Sequence, residues 1–267
     1  MKSNVAFVFK FTSDYKSESN YSNFSLIGGL FKGTGILIKP TSYKIRGSLI
    51  SNVQVYDAKE NALRIERNLE TNKTVYESFV TSCVFATSKL AGIYVNVTDI
   101  CIANSVVASS EYHGVILKGA GGVTIEGNHV WGNNVGIYLE NSMVNTIYGN
   151  FIEDNSKAGM VLAGSSKNLI CSNRFIWNGC EQYHSISGAR ADLEIHDYAN
   201  KKSEHNHIHG NLFEAEHNRY GKVAQFGVVL WDNSTNNTIV SNKFIGTFEV
   251  ENIKDNSNGS NVLEPNY

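Results

Sequence analysis

Two glutamates of this sequence occupy the same position in a repeated pattern. Glu153 follows Asn150 by three residues, and Glu214 follows Asn211 by three residues. If successive repeats stack as neighbouring strands, the two glutamates lie two strand spacings apart, about 9.6 Å. Two carboxyl groups roughly 6.5–9.5 Å apart can cleave a glycosidic bond with inversion, because a water molecule fits between them. We therefore predict that Glu153 and Glu214 are catalytic; simple solvation of two exposed glutamates is the alternative.

Residues at neighbouring positions of the pattern suit the same chemistry. Arg174 falls in the repeat between the two glutamates, and Trp131 lies one repeat before the first of them. An indole face is a good platform for a sugar ring. We predict that Trp131 and Arg174 bind substrate, and we add Trp177 and Trp231 as further platforms.

Glu194, His196 and Asp197 form a second candidate group. The longest insertions into the pattern flank this group, and long loops on a rigid scaffold commonly carry function. A histidine beside carboxylates can act as a base in elimination or as an acid in hydrolysis, so all three are predicted as catalytic. Arg190 and Arg219 lie in the insertions and could neutralise the carboxylate of a uronate. A salt-bridged anchor for the loops is the alternative.

The sequence is also rich in histidine between His184 and His217. His205, His207 and His209 alternate, so in a strand they would lie on one side, as metal-binding pairs do. Cys171 is predicted to lie one repeat away from His209. A zinc or copper site is one interpretation of this segment, and a run of exposed polar residues is the other. We predict no metal ligand and no cofactor.

The elements that would position these residues follow from one repeated segment. An isoleucine, an asparagine three places later and an apolar residue two places after that recur around Asn128, Asn150 and Asn173, which are 22 and 23 residues apart. Short alternating runs with Asn and Gly corners at this period are typical of a parallel β-helix, where each repeat is one rung. The asparagine is predicted to adopt the left-handed corner conformation and to bond the equivalent amide one rung away. A β-sandwich with coincidental spacing is the alternative.

The same register extends in both directions and predicts an all-β, right-handed solenoid of about nine rungs, roughly 40 Å long. Within each rung the second strand alternates, so Ile137 and Leu139 should lie inside and Tyr138 outside. The predicted corner residues are Gly29, Asn52, Cys83, Asn104, Asn128, Asn150, Asn173, Asn211 and Asn242. The predicted insertions are 68–76, 180–190, 198–205 and 217–225. We expect one β-helix domain over 1–250, part of a longer chain or covered by an assembly at its first rung, and an irregular tail over 251–267.

Composition narrows the classes of partner. The chain has 267 residues and a net charge of −2, which argues against broad electrostatic binding of nucleic acid. No apolar run approaches the length of a transmembrane helix, so we expect no membrane insertion. No signal peptide is evident, so if the protein is extracellular we expect it to leave the cell by another route, such as a virion tail, or to have had its signal trimmed. The four cysteines form no CxxC pair and are predicted to be free thiols.

The rungs over about 24–250 resemble the right-handed parallel β-helix superfamily that includes pectate lyases, polygalacturonases and bacteriophage tailspikes. The resemblance rests on the Asn-x-apolar and Gly-apolar-x-apolar rungs, and it specifies fold better than chemistry. The Asp-Asp pair of polygalacturonases, the Asp-Pro-His-Glu of alginate epimerases and the Arg-x-Pro-x-x-Arg of pectate lyases are absent. The chain is most similar to a tailspike, which implies a homotrimer that binds and cleaves a bacterial surface polysaccharide as a glycosidase or lyase. A glycan-binding module without turnover and a structural β-helix are the alternatives.

The predicted trimer would bury a stripe of outward residues on the second strands. The stripe contains Tyr94, Ile116, Tyr138, Val161 and Val229. Exposed, it would form an apolar patch larger than monomers usually carry. An aromatic platform for sugars is the alternative, but the aliphatic members favour an interface between chains.

Overall fold

Short parallel strands account for most of the described chain. A computed structural model describes residues 5–9, 21–179, 190–217, 221–263 and 265–267. These residues form a right-handed parallel β-helix of three long sheets, as the repeat predicted. Each strand pairs in parallel with the equivalent strand one rung away.

The strands of the described residues form four sheets. Sheet 1 comprises β1 (Val5–Phe9), β5 (Gly35–Ile38), β9 (Leu63–Glu66), β13 (Ala91–Asn96), β16 (His113–Lys118), β19 (Val135–Glu140), β22 (Ala158–Ala163), β25 (Ala191–His196), β28 (Phe226–Leu230) and β31 (Glu251–Asp255). Sheet 2 comprises β3 (Ser25–Ile27), β7 (Leu49–Ser51), β11 (Ser78–Thr81), β14 (Ile100–Ala103), β17 (Thr124–Glu126), β20 (Thr146–Tyr148), β23 (Leu169–Cys171), β26 (His207–His209) and β29 (Thr238–Val240). Sheet 3 comprises β4 (Leu30–Lys32), β8 (Gln54–Tyr56), β12 (Val84–Ala86), β15 (Val106–Ala108), β18 (His129–Trp131), β21 (Phe151–Glu153), β24 (Arg174–Ile176), β27 (Leu212–Ala215) and β30 (Lys243–Gly246). A small sheet comprises β2 (Tyr21–Ser22), β6 (Lys44–Arg46) and β10 (Val75–Tyr76).

The interior is a continuous apolar column. Alternation along each strand turns every second side chain inward, and Ile137 and Leu139 are fully buried as predicted. Equivalent inward residues stack from rung to rung: the rings of Phe175 and Phe213 lie 4.8 Å apart at 10°, and those of Phe213 and Phe244 lie 5.0 Å apart at 11°. The sheets are therefore held together by side chains that repeat at the strand spacing.

Buried asparagines close the corner between sheets 2 and 3. The Asn150 side-chain oxygen accepts hydrogen bonds from the backbone and side-chain amides of Asn128, both 3.0 Å long. The Asn150 side-chain amide donates to the oxygen of Asn173 at 2.9 Å and to the carbonyl of Ile125 at 2.9 Å. This pattern continues through Asn211 and Asn242 to Asn266. The amide ladder predicted from the repeat is present.

The left-handed backbone conformation is adopted by the residue before each ladder asparagine. The prediction that the asparagine itself adopts this conformation is wrong. Gly127, Gly149 and Ser172 have φ values of 60°, 64° and 56°, whereas Asn128 and Asn150 do not have positive φ. Two successive residues therefore form this corner: the first makes the left-handed turn, and the second places its side-chain amide in the buried ladder.

Two predicted corner positions are wrong by one residue. Asn52 and Asn104, with φ of 56° and 48°, are the left-handed residues of their rungs. The ladder positions belong to the next residues, Val53 and Ser105, and the Ser105 backbone amide donates to Asn128 Oδ1 at 3.0 Å. An Asn is acceptable at either place, so spacing alone could not distinguish them.

The segment 251–267 was expected to be irregular, and the structure shows otherwise for much of it. Strand β31 extends sheet 1 by pairing with β28. Asn261 and Asn266 continue the amide ladders, accepting from the side chains of Asn237 and Asn242 at 3.1 Å each. The polar composition of this segment therefore reflects ladder residues as well as loop residues.

The outer face of sheet 1 is covered over its later rungs, which corrects the expectation of an exposed stripe. Val161 and Val229 are fully buried and Tyr138 is 7% exposed within the single chain. Tyr94 and Ile116, on earlier rungs, are half-buried. The stripe thus needs no partner subunit to cover its upper part, and the argument for a homotrimer through these residues fails.

Asn150→Ala tests the ladder. The change leaves two amide donors of Asn128 and the carbonyl of Ile125 without their partners in a buried corner, and each such group costs about 1–3 kcal/mol. We expect a clear fall in the free energy of unfolding, measured by chemical denaturation. Asn233→Ala, at an exposed asparagine, is the control and should have little effect. Equal stability of the two variants would show that the ladder does not hold the corner.

Val161→Asp tests the covered face. A carboxylate placed at this fully buried position should destabilise the single chain by about 3 kcal/mol or more. Ile245→Asp, at an outward residue that is 39% exposed, is the control. Thermal unfolding and light scattering should be measured together. A Val161→Asp protein with unchanged thermal stability but a smaller mass would instead place this residue in an interface between chains.

Candidate functional site

The outer face of sheet 3 carries the first predicted group. Strands β18, β21, β24 and β27 place Trp131, Glu153, Ile176 and Glu214 in one outward row, in that order. The register of the two glutamates is therefore as the repeat predicted. Ile176, between them, is 2% exposed, so the two carboxylates are separated by a packed aliphatic side chain.

Glu153 is joined to a histidine that the sequence analysis did not select. His129 Nε2 lies 2.7 Å from Glu153 Oε1, diagonally across neighbouring strands. The His129 ring also stacks on Phe151 at 5.1 Å and 10°. The Glu153 side chain is 16% exposed and that of His129 is 38% exposed. His129 precedes Glu153 by one rung in the adjacent outward row, and that diagonal relation is the signal that could have found it.

Glu214 is held by Arg174. The Arg174 Nε and Nη2 atoms donate to the two carboxylate oxygens of Glu214 at 2.5 and 3.0 Å. The guanidinium carbon lies 5.1 Å from the centroid of the Phe151 ring. The hydrogen bond to Glu214 raises the pKa of Arg174, so the guanidinium stays charged. The Arg174 side chain is 50% exposed, which leaves the cation open to an anionic ligand.

Together these contacts define a polar cluster of Glu153, His129, Arg174 and Glu214, with Phe151 at its centre. Trp131 borders the cluster, its ring centroid 6.1 Å from that of His129. The cluster therefore combines a histidine–carboxylate pair, a fixed cation and an indole on one outer face.

The other two tryptophans lie elsewhere. Trp177 follows β24 at a corner with φ of 59°, outside the outward row. Trp231 packs against the buried cluster of Ala191, Phe226 and Val229 beside sheet 1. The three predicted sugar platforms therefore lie at three separate places: the outer face of sheet 3, the corner after β24 and the side of sheet 1.

The second predicted group is buried. Glu194 and His196 lie in the outward rows of β25 but are only 1% and 4% exposed. His196 Nδ1 lies 2.8 Å from the Asp197 carbonyl, and Asp197 Oδ1 accepts from the Ser203 backbone amide at 3.2 Å. Arg190 is paired with Glu249. His196 Nδ1 and Asp197 Oδ1 thus contact neighbouring backbone groups, while the buried His196 Nε2 atom has no hydrogen-bond partner among the described residues.

Arg219 lies outside the described residues, as does most of the predicted insertion 180–190.

Asp192 is a buried acid that the sequence analysis passed over. It stands in β25 where neighbouring rungs have Gly159 and Gly227, and it is 1% exposed. Its Oδ1 accepts from the Asn178 side-chain amide at 2.9 Å, which ends the ladder that runs through Asn155 and Asn178. Burial raises the pKa of Asp192 to about 8, so the group is largely protonated at neutral pH. In the sequence, Asp192 could have been identified as an acidic residue at a position where neighbouring rungs have glycine.

The histidine segment forms only part of the predicted arrangement. His207 and His209 lie in β26 on one side, with ring centroids 4.8 Å apart, and Cys171 neighbours His209 in β23. His205 precedes the strand with φ of 56°, so it does not share their row. Within the described ranges, no group of three or more His, Cys, Asp or Glu side chains is placed to hold a metal ion.

Comparison with known families gives one match. The model of the family described as "Periplasmic copper-binding protein (NosD)" matches residues 34–188, more than half of the chain. The chain belongs to the NosD family. Because the described residues form no group suited to a metal ion, they do not fit the copper site that the NosD description implies. No curated protein matches the chain significantly.

Solved structures similar to this NosD-family chain share its fold. The A-module of Azotobacter vinelandii mannuronan C-5 epimerase AlgE6 has a TM-score of 0.65 at 12% identity, with 90% of this chain and 65% of that module covered. The enzymatically active domain of bacteriophage CBA120 tailspike protein 2 has a TM-score of 0.65 at 17% identity, with 90% and 38% covered. DFA-IIIase from Arthrobacter chlorophenolicus A6 has a TM-score of 0.63 at 16% identity, with 95% and 62% covered. This chain thus spans less than two thirds of each of these three. Among the described residues, no helix has the length and apolarity to cross a membrane.

Asp192→Asn tests the buried acid. The folded protein keeps the Asp192 proton up to about pH 8, while the unfolded chain releases it near pH 4, so this group makes stability fall as pH rises between those values. Asparagine keeps the bond to Asn178 and removes the ionisation. The thermal stability of D192N relative to the natural chain should therefore be higher at pH 8 than at pH 5.

D99N, at an exposed aspartate with left-handed φ that asparagine tolerates, is the matched control. A D192N stability difference that stays constant with pH would show that the acid is ionised in the folded protein.

Proposed function

We propose that this chain binds and cleaves a polysaccharide that carries carboxylates, using the polar cluster on the outer face of sheet 3. The observation that carries the proposal is the 2.7 Å contact between His129 and Glu153 beside the exposed, charged Arg174. A histidine–carboxylate pair can transfer a proton near neutral pH, and a guanidinium can neutralise a uronate carboxylate. Trp131 provides an apolar face for a neighbouring sugar ring.

The contacts favour elimination over the two-carboxylate hydrolysis predicted from spacing. Glu214 is held in a bidentate pair with Arg174, so both of its carboxylate oxygens are occupied and it is not free to act as a general acid. Glu153 and His129 remain as the proton-transfer pair. In the proposed reaction, His129, held by Glu153, removes the proton beside the uronate carboxylate, and Arg174 stabilises the charge that develops there. The C–O bond then breaks as the double bond forms, and the leaving glycosidic oxygen takes the proton back from the His129 imidazolium.

The named activities of similar structures support a carbohydrate ligand without specifying it. They include a mannuronan epimerase, an enzymatically active tailspike domain and DFA-IIIase, and all are below 25% identical. Fold similarity at this level supports a shared architecture, so the argument for chemistry rests on the cluster.

Binding without turnover is the second candidate function. Both glutamates already have partners, His129 for Glu153 and Arg174 for Glu214. An outer face of this kind can hold an acidic glycan through Arg174 and Trp131 without doing chemistry on it.

Single changes at Glu153 and Glu214 test the proposal. On a panel of uronate-containing and neutral polysaccharides, cleavage should be followed both by reducing ends and by the ultraviolet absorbance of an unsaturated uronate. E153Q should lower turnover by about 10²–10⁴, the usual worth of general acid–base catalysis. E214Q should lower it less, through loss of the position of Arg174. E126Q, at a half-buried glutamate on sheet 2, is the control.

Release of reducing ends without the ultraviolet absorbance of an unsaturated uronate would indicate hydrolysis and contradict elimination. Unchanged turnover in both E153Q and E214Q would remove the cluster from the reaction. Glycan binding with no cleavage of any substrate would favour the second candidate.

A further inference from the structure

A groove lies on the outer face of sheet 1, where the cover over its later rungs ends. Two adjoining cavities of about 320 and 280 Å³ share Arg64 and Tyr94 on β9 and β13. Together they fall within the roughly 300–1,000 Å³ of small-molecule sites. The groove lies on a different sheet from the polar cluster of Glu153 and His129.

Arg64 is fixed at the centre of this groove. Its Nε and Nη2 atoms each lie 2.6 Å from Glu66 Oε2, and its guanidinium carbon lies 5.1 Å from the centroid of the Tyr94 ring. Lys39 Nζ is 3.3 Å from the other oxygen of Glu66. A guanidinium held by an acid and an aromatic face needs little further ordering to bind an anion. The Arg64 side chain remains 39% exposed.

The charged cavity has a preformed wall. The hairpin that starts at Asn68 borders it, and Asn68 Oδ1 accepts from the backbone amides of Glu70 and Thr71 at 3.0 and 3.3 Å. The Asn68 backbone amide also donates to the Lys73 carbonyl at 2.8 Å. This hairpin is the first of the predicted insertions. The side chains lining the cavity include three cations, Lys39, Arg64 and Arg67, against two carboxylates, so its net charge favours an anion.

The second cavity is aromatic. Tyr112 is 54% exposed and lines it together with His113 and Ile116. Burial lowers the pKa of His113 to about 4, so this ring is neutral at pH 7 and adds no charge. An exposed tyrosine face beside a fixed cation suits a ring that is apolar on one side and anionic at its edge.

We propose that this groove binds an acidic sugar residue of a polysaccharide, with its carboxylate at Arg64 and Lys39 and its neighbouring sugar ring against Tyr112. The site goes beyond the proposed function because it requires no turnover and uses none of the residues of the polar cluster. It would hold the polymer on sheet 1 whether or not sheet 3 cleaves it.

Arg46 offers a matched control for Arg64. Its Nε lies 2.6 Å from Glu77 Oε2, and its guanidinium carbon lies 6.0 Å from the centroid of the Tyr76 ring. It therefore has the same kinds of partner on the small sheet, away from the groove. R64M and R46M remove the same charge from similar surroundings.

Binding of oligogalacturonate and of a neutral gluco-oligosaccharide of equal length should be measured by calorimetry on the full chain. We expect the acidic oligomer to bind, R64M to weaken it by about tenfold or more through loss of a charge-assisted contact, and R46M to leave it unchanged. Y112A should also weaken binding, while R64K should restore only part of the affinity. Spectroscopic unfolding curves should show that R64M and R46M remain folded.

The site is overturned if the acidic oligomer does not bind, if the neutral oligomer binds equally well, or if R64M and R46M weaken binding to the same extent. Inorganic phosphate that binds where oligogalacturonate does not would also overturn it. Failure of the proposed function would be distinguishable from failure of the groove, since E153Q should lower turnover by about 10²–10⁴ and leave the R64M-sensitive binding intact. If the chain cleaves the polysaccharide but R64M does not weaken binding, the proposed function stands and the proposed binding site in the groove is wrong.

Discussion

The fold depends on satisfying buried polar groups at every corner of the coil. A chain that turns three times per rung leaves backbone amides inside, where an unpaired donor is costly. The asparagine side chain supplies an acceptor for the rung before it and donors for the rung after it, as Asn150 does between Asn128 and Asn173. Similar ladders run through Asn155 and through Asn168 at the other corners. Each rung is therefore fixed in register by its neighbours.

That register determines which outward side chains meet. With strands aligned residue by residue, His129, Phe151 and Arg174 stack in one row, and Glu153 and Glu214 lie in the next. The diagonal neighbours then pair, His129 with Glu153 and Arg174 with Glu214. A rigid sheet holds the histidine–carboxylate pair and the cation in fixed positions at low entropic cost.

Two departures from the repeat produce features that the regular coil lacks: a buried acid and the wall of a cavity. Asp192 replaces a stacked glycine where a ladder ends, and its burial converts a carboxylate into a protonated acid. The hairpin after Asn68 interrupts the rungs near Arg64 and builds one wall of the sheet 1 groove. In both cases the regular coil provides the frame, and a local exception provides a group with unusual chemistry or a cavity.

The period, the inward alternation of Ile137 and Leu139 and the amide ladder follow from the sequence, because each depends on residues at fixed local spacing. The same spacing placed Glu153 and Glu214 in one row. It could not separate Asn52 from Val53 as the ladder residue, since asparagine suits both the left-handed turn and the buried amide position.

Only the tertiary structure shows which outward side chains are buried. Alternation shows that Glu194, His196 and Val161 point away from the core, but it does not show that their outward side chains are buried. The same limit applies to the groove, where Arg64 and Tyr112 come from different rungs. Local spacing determines which way a side chain points, and only long-range packing determines what it meets there.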